Sequence, residues 1–359
     1  APHSHTLPAD PAHDHSSNGS SISVPARKGV ITGARAAGRH HPPGGRPGRA
    51  VTGRALVVGT GLLGRHVRDR LTSAGWDVVV AGRRPEVATR SLTEAIRAAR
   101  PGVVVNAAGE IWRPEPDRLT AANVELAGLV VRAVAEAGAD ARLVHLGSSL
   151  EYAPQPPPTA LTEDSPAAPR SAYGRSKLAG TELVRRLAAR HGVEAVVLRL
   201  FNVIGAGMSP VSVLGRTVNR LVAAHRAGTT AHLELTDLAQ YRDYVDARDA
   251  ADAVLAAGTA RQIAPGLFNI GSGVTRTAEE LVRALAEVSG VPYRLELRPA
   301  PTTGARSADG DWQRADTRRA YTVLGWSARR KLPETLLGIW QAARSHPFPG
   351  HPAQEASTP

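Results

Sequence analysis

The segment SAYGRSKLAG sets a phenol, Tyr173, four residues before an ammonium, Lys177. If the segment is helical, the two side chains share one face. A lysine beside a phenol lowers the phenol pKa, and the pair can then exchange a proton with a carbonyl or an alcohol next to a nicotinamide. That is the proton half of carbonyl reduction. The spacing alone is common, but here it lies on the predicted helix that follows the apolar strand LVHLGSS, whose end offers the hydroxyl of Ser148 to the same region.

A second constellation lies upstream. VVGTGLLGRHV places Gly59, Gly61 and Gly64 directly after the first apolar strand, at the opening of a helix. The first glycine suits a tight turn, the second lets backbone approach a pyrophosphate, and the third allows close helix packing, so this context predicts dinucleotide binding. A site for NAD usually carries Asp or Glu about 20 residues further on, to hold the ribose hydroxyls. Here the second strand, DVVVA, runs instead into Gly82, Arg83 and Arg84. A guanidinium suits the 2′-phosphate of NADP, which a carboxylate would repel, so NADP(H) is expected in preference to NAD(H).

The elements that must position these groups follow from Ala55 onward. Short apolar strands alternate with helical stretches: ALVVG and a helix from Leu62, DVVVA, AIRAARP, VVVNAAG, NVELAGLVVRAVAEAGA, RLVHLGSS, YGRSKLAGTELVRRLAARHG and EAVVLRLF. Continuous apolar strands imply a parallel sheet covered on both faces, a doubly wound Rossmann-type α/β fold over residues 54–201. After Asn202 the rhythm is irregular. AEELVRALAEVSG and LPETLLGIWQAAR read as helices, LELT and LFNIG as strands, giving a smaller α/β lobe over 202–342 that partly returns to the main sheet. Residues 1–53, rich in Gly, Pro, Ser and His, are expected to be a disordered tail, or a gene-start artefact ahead of a fold that begins near Val51; 343–359 are expected to be a second tail.

Composition narrows the function classes. The chain has 359 residues, 42% hydrophobic and 4% aromatic, enough for a large core of Val, Leu and Ala. It has no cysteine, so disulfides and thiolate metal sites are excluded. His3, His5, His13, His15, His40 and His41 are spaced too irregularly for a preformed metal site, and no metal is expected. The net charge of +12 is diffuse, which argues against a nucleic-acid partner. No stretch is long and apolar enough to span a membrane, the start APHSHTLPAD lacks a charged leader with an apolar core, and a cytoplasmic protein is expected.

Taken in order, the glycine motif, NAAG at 106–109, SSLEY at 148–152, YGRSK, LRLFNVIGAG, YRDYVDARDAADA and LGW resemble an extended short-chain dehydrogenase/reductase of the NAD-dependent epimerase/dehydratase type, from about Arg54 to Trp340. The resemblance implies that Ser148 is the catalytic Ser/Thr, Tyr173 the proton donor and acceptor, and Lys177 the residue that orients the nicotinamide ribose. It also implies that Leu62, Leu63, Ala107 and Ala108 line the cofactor, with Tyr173 and Lys177 touching it. Asn202, Arg242 and Arg306 match positions that contact the diphosphate of a nucleotide sugar. Where many relatives carry a G-D-G turn, this chain has Thr236, Asp237 and Leu238, and Asp243 is read as structural. The family's equivalent helices pair across a two-fold axis, so a homodimer is expected.

Three reactions are common on this scaffold. Its 4,6-dehydratases place an acidic pair directly after the catalytic Ser/Thr, whereas this chain has Ser149 and Leu150 there, and Glu151 would point to the far side of an extended strand. A 4-epimerase usually retains NAD, while a reductase consumes cofactor and draws on reduced NADP. The sequence therefore predicts an NADPH-dependent reductase of a nucleotide-linked 4-keto-6-deoxy sugar. The alternatives are a nucleotide-sugar 4-epimerase and, more remotely, a redox sensor that binds NADP(H) without chemistry.

Overall fold

The computed structural model describes residues 53–82, 89–111, 115–237, 240–261, 263, 266–299 and 312–345. The N-terminal tail to residue 52, Arg83, Arg84, Leu238 and Arg306 lie outside the described residues. Strands run β1 (Arg54–Val58), β2 (Asp77–Ala81), β3 (Val103–Asn106), β4 (Arg142–Ser148), β5 (Ala195–Leu200), β6 (Asn202–Ile204), β7 (Ala231–Asp237), β8 (Tyr241–Asp246), β9 (Gly266–Ile270), β10 (Thr275–Arg276), β11 (Tyr293–Pro299) and β12 (Trp312–Gln313). Helices run α1 (Leu62–Ser73), α2 (Thr89–Ala99), α3 (Pro116–Thr120), α4 (Leu126–Glu136), α5 (Ala172–His191), α6 (Val213–Ala227), α7 (Ala247–Thr259), α8 (Ala278–Ser289), α9 (Arg318–Leu324) and α10 (Leu332–Ser345). A π-helical stretch, Ala121–Glu125, joins α3 to α4. Helix α10 continues past the expected end of the lobe at 342, and 346–359 lie outside the described residues.

The main sheet is parallel, in the order β2-β1-β3-β4-β5-β9. It is the Rossmann-type α/β sheet that the strand-helix alternation predicts. From β1 the chain forms β2 on one side and then crosses back to form β3 on the other side of β1, and the resulting crevice at the carboxyl ends of β1 and β3 is where such sheets bind ligands. Helices α1 and α7 cover one face, packing Val67, Leu71, Ala250 and Val254 on Val57, Val105, Leu146 and Leu198. Helices α2, α4 and α5 cover the other, packing Ile96, Val130, Val131 and Val184 on Leu56, Val104 and Leu143. Burial on both faces holds for β3, β4 and β5 throughout and for β1 after Arg54. It fails at β2, an edge strand whose Val79 and Val80 remain exposed.

Strand β9 returns from the later lobe to pair with β5, as the reading of LFNIG anticipates. The second core joins Leu214 and Leu221 of α6, Leu233 of β7, Leu281 and Leu285 of α8, and Leu336 and Ile339 of α10. Between the two cores, β8 pairs with β6, β10 and β12. Among the described residues, no helix is long and apolar enough to cross a membrane.

Candidate active site

The dinucleotide end is built by the three glycines, each for its own reason. Gly59 ends β1 with φ +112°, and a Cβ there would lie 2.8 Å from the Ala108 backbone nitrogen. A Cβ on Gly64 would lie 2.0 Å from the Gly59 carbonyl oxygen, so only glycine lets α1 start this close to β1. Gly61, the N-cap of α1, makes no side-chain cap, and a Cβ there would meet open space. The first N–H groups of α1 thus face a region wide enough for a phosphate to approach. Gly61, Leu62, Leu63, Ala107 and Ala108 all line one cavity of about 590 Å³. A dinucleotide fits this cradle: the two close-packed glycines bring the backbone in, and the third leaves the helix end open.

The other end of the cavity comes from β4 and α5. Ser171 caps α5 by accepting the Gly174 N–H at 3.0 Å, which starts the helix at Ala172, one residue before Tyr173. Two glycines seat that helix: a Cβ at Gly174 would lie 2.2 Å from the Leu150 carbonyl oxygen, and one at Gly180 would lie 2.1 Å from that of Asn123. Tyr173 and Lys177 therefore line the same cavity wall as Ser148 and Leu150. Ser148 is buried at the end of β4, and its hydroxyl oxygen accepts the Leu150 N–H at 3.2 Å. The buried Lys177 ammonium donates to the Leu146 carbonyl at 2.7 Å. Burial pulls its pKa below the ordinary lysine value, against an opposing pull from Glu151. His145, behind it on β4, takes a 3.1 Å contact from Asn106 at Nδ1, and burial, then the Lys177 charge, hold its pKa well below the usual histidine value.

The sequence reading placed Glu151 on the far side of an extended strand. The chain instead turns into a 3₁₀ helix, Ser149–Glu151, because the Ser148 and Glu151 side chains cap each other's backbone N–H groups. Glu151 is fully buried and paired with Arg199 at 2.7 Å. It is no more available for acid-base work than an outward-facing residue would be.

Of the residues matched to substrate positions, Asn202 lines the cavity and donates to the Asp243 carbonyl at 3.1 Å. Arg242 is buried on β8 opposite Arg276, donates to the Gln240 side chain at 3.0 Å, and lies outside the cavity lining. Asp243 has the structural role read for it, accepting the backbone N–H groups of Ser272, Gly273 and Ala315 at 2.7, 2.8 and 3.0 Å.

Sequence reasoning missed Asn123, Glu110 and Arg65. Asn123, in the π-helical stretch, accepts the Glu110 N–H and donates to its carbonyl, both at 3.0 Å, and donates to the Ser176 hydroxyl at 2.9 Å. It ties the loop after β3 to α5 one turn from Tyr173. Glu110 is the one carboxylate among the described lining residues. Arg65 reaches from α1 to the Gly207 carbonyl at 2.8 Å, linking the cofactor end to the substrate end. The only available signal was polarity inside otherwise apolar segments.

A Rossmann-type sheet with a glycine turn at one end of a cavity and Ser148, Tyr173 and Lys177 at the other defines an NAD(P)-dependent enzyme of the extended short-chain dehydrogenase/reductase type. The model of the NAD dependent epimerase/dehydratase family matches residues 55–271, and the chain belongs to that family. The chain is similar to dTDP-6-deoxy-L-talose 4-dehydrogenase (NAD(P)(+)) of Kitasatospora kifunensis, with 39% identity over 309 residues, 82% of this chain and 96% of that protein. It is 30% identical to a UDP-glucose 4-epimerase of Azospirillum brasilense, covering 82% of this chain and 92% of that one. Among solved structures, MoeE5 in complex with UDP-glucose and NAD superposes with a TM-score of 0.70 at 28% identity, over 81% of this chain and 99% of that one.

Proposed function

We propose that the protein reduces the 4-ketone of a nucleotide-linked 6-deoxy sugar, with NADPH preferred over NADH. The similarity to a 4-dehydrogenase of such a sugar, extending over 96% of that relative's length, carries this reading. Reduction of the 4-ketone is the reverse of that 4-dehydrogenation. The cavity wall supports it as well: Ser149 and Leu150 follow Ser148, so the positions where dehydratases carry their acidic pair hold no carboxylate. Arg83 and Arg84 support the NADPH preference by charge.

Gly61–Leu63, Ala107 and Ala108 would hold a nicotinamide cofactor, which would supply the hydride. The chain's own residues handle the oxygen. Accepting the Leu150 N–H leaves the Ser148 hydroxyl proton to be donated to the substrate carbonyl. Tyr173 delivers a proton to the oxygen as negative charge develops on it, and the Lys177 ammonium, fixed by the Leu146 carbonyl, favours the phenolate that remains. Asn202 holds the substrate's far end.

The test is a panel of nucleotide-linked 4-keto-6-deoxy sugars with NADPH or NADH, followed at the cofactor absorbance. One cofactor oxidised per ketone, faster with NADPH, is expected. Interconversion of 4-hydroxy sugars without net cofactor consumption would instead identify an epimerase, and tight NADPH binding with no oxidation a sensor. We also propose a homodimer through α4 and α5, where Leu129, Leu178, Leu183 and Leu187 stay partly exposed. Sedimentation at micromolar concentration should give twice the chain mass; a monomer refutes the dimer.

A further inference from the structure

The mechanism does not use Glu151, a buried carboxylate directly beneath Ser148. Glu151 Oε1 accepts the Ser148 backbone N–H at 2.8 Å and the Thr181 hydroxyl at 2.9 Å, while Oε2 accepts the Arg199 guanidinium at 2.7 Å. These donors lie on three elements: the end of β4, α5 one turn after Lys177, and β5. A Cβ at Gly147 would lie 2.7 Å from Glu151 Oε1 and 3.3 Å from the Thr181 hydroxyl, so the residue preceding Ser148 is one that leaves the carboxylate room. Desolvation offsets most of the attraction within a buried ion pair, so stability alone is a weak reason for it to lie beneath a reaction centre.

We propose that Glu151 is a positioning residue: by holding the Ser148 backbone, Thr181 and Arg199 together, its carboxylate fixes the Ser148 hydroxyl relative to the Tyr173 and Lys177 face of α5. This rests on the catalytic roles assigned above. Around the carboxylate stand Arg199 on β5, with its guanidinium 4.3 Å from the centre of the Tyr152 ring, and Thr181 on α5; Lys177 on α5 feels the Glu151 charge, and His145 on β4 feels that of Lys177. Burial pushes the Tyr152 phenol up to about 12 and keeps His145 from protonating, so both are neutral near pH 7. Glu151 is then the charged group that acts on Lys177. Glu151 raises the Lys177 pKa, so removing its charge lets Lys177 lose its proton at lower pH.

The experiment compares wild type, Glu151→Gln, Thr181→Val and Ser148→Ala in the ketone assay, with NADPH affinity read by fluorescence and kcat followed against pH. Glu151→Gln should bind NADPH normally but lose about 10- to 100-fold in kcat, the scale of a sub-ångström to 1 Å misplacement, and its alkaline limb should move to lower pH. Thr181→Val keeps the charge, so it should show a smaller loss and an unmoved limb. A Glu151→Gln enzyme with wild-type kcat, or with an unmoved limb, overturns the proposal. If Glu151→Gln does not fold, Thr181→Val decides, and wild-type kcat there overturns it. A slow Ser148→Ala beside a fast Glu151→Gln removes this inference alone, whereas a full-rate Ser148→Ala removes the site reading together with it.

Discussion

The two ends of the cavity are built on different principles. The dinucleotide end is contiguous in sequence: Gly59 to Gly64 span the turn after β1 and the first residues of α1, and Ala107 and Ala108 follow the adjacent strand β3. The substrate end is assembled from pieces far apart in the chain, with Asn202 on β6, Met208 and Ser212 before α6, Tyr244 on β8, and Ala278 and Leu281 on α8. A contiguous turn can be read from its spacing because one backbone motif does the binding. A composite wall carries no such spacing, and its chemistry depends on how the smaller lobe packs. The first end should accordingly be tolerant of which sugar is bound, and the second should decide it.

The largest expected effect lies where the two ends meet. Tyr173→Phe should keep the fold and NADPH affinity yet lose about two orders of magnitude or more in kcat, and Lys177→Met should lose as much with weaker cofactor binding. Near-normal turnover by purified Tyr173→Phe would remove the phenol from the mechanism. At the dinucleotide end, replacing Arg83 and Arg84 by neutral residues should cost about 1.5 to 3 kcal/mol in NADPH binding, roughly 10- to 150-fold, with NADH unchanged and the gap shrinking in salt. Equal loss of both cofactors would make them ordinary loop charges.

A pH effect separates the sheet from the lobe. The folded pKa of His145 lies well below its unfolded value near 6.5, so its contribution to stability is present above that pH and is lost as pH falls, when the unfolded chain takes up a proton that the folded one does not. The slope should approach about 1.4 kcal/mol per pH unit from this residue. Denaturant melts of wild type and His145→Gln from pH 7.5 to 5 test it: the variant should lose less stability on acidification, and parallel curves would refute the assignment. The smallest expected effect is at the substrate end. Asn202→Ala should raise the KM for the nucleotide sugar by about 5- to 10-fold, the scale of one hydrogen bond, with NADPH affinity unchanged; an unaltered KM would take Asn202 out of the substrate contacts.

The same contrast governs what could be read from the sequence. Strands β1, β3, β4 and β5 were legible because each is a mostly apolar run, and α5 because YGRSKLAGTELVRRLAARHG is a long stretch with helical spacing. The candidate catalytic residues stood out because Tyr173 and Lys177 lie one turn apart and Ser148 ends a strand, and the structure brings all three to one cavity. Helices α6 and α7 were missed. Helix α7, ARDAADAVLAAGT, packs on the sheet through alanines, which leave little periodic contrast. The π-helical stretch at Asn123 was invisible because its register shift comes from backbone hydrogen bonding. The turn at Glu151 was missed because the capping box follows directly on a strand, where alternation was assumed to continue.

The proposed reaction passes hydride to the C4 ketone of a nucleotide-linked 6-deoxy sugar. Incubating the enzyme with a nucleotide-linked 4-keto-6-deoxy sugar and NADPH deuterated at the transferable position of nicotinamide C4, then locating the label by NMR, tests it most directly. One deuterium at sugar C4 for each NADPH oxidised is the expected result. NADPH consumption without label at C4, or inversion of a 4-hydroxy sugar with no net oxidation of cofactor, would contradict it.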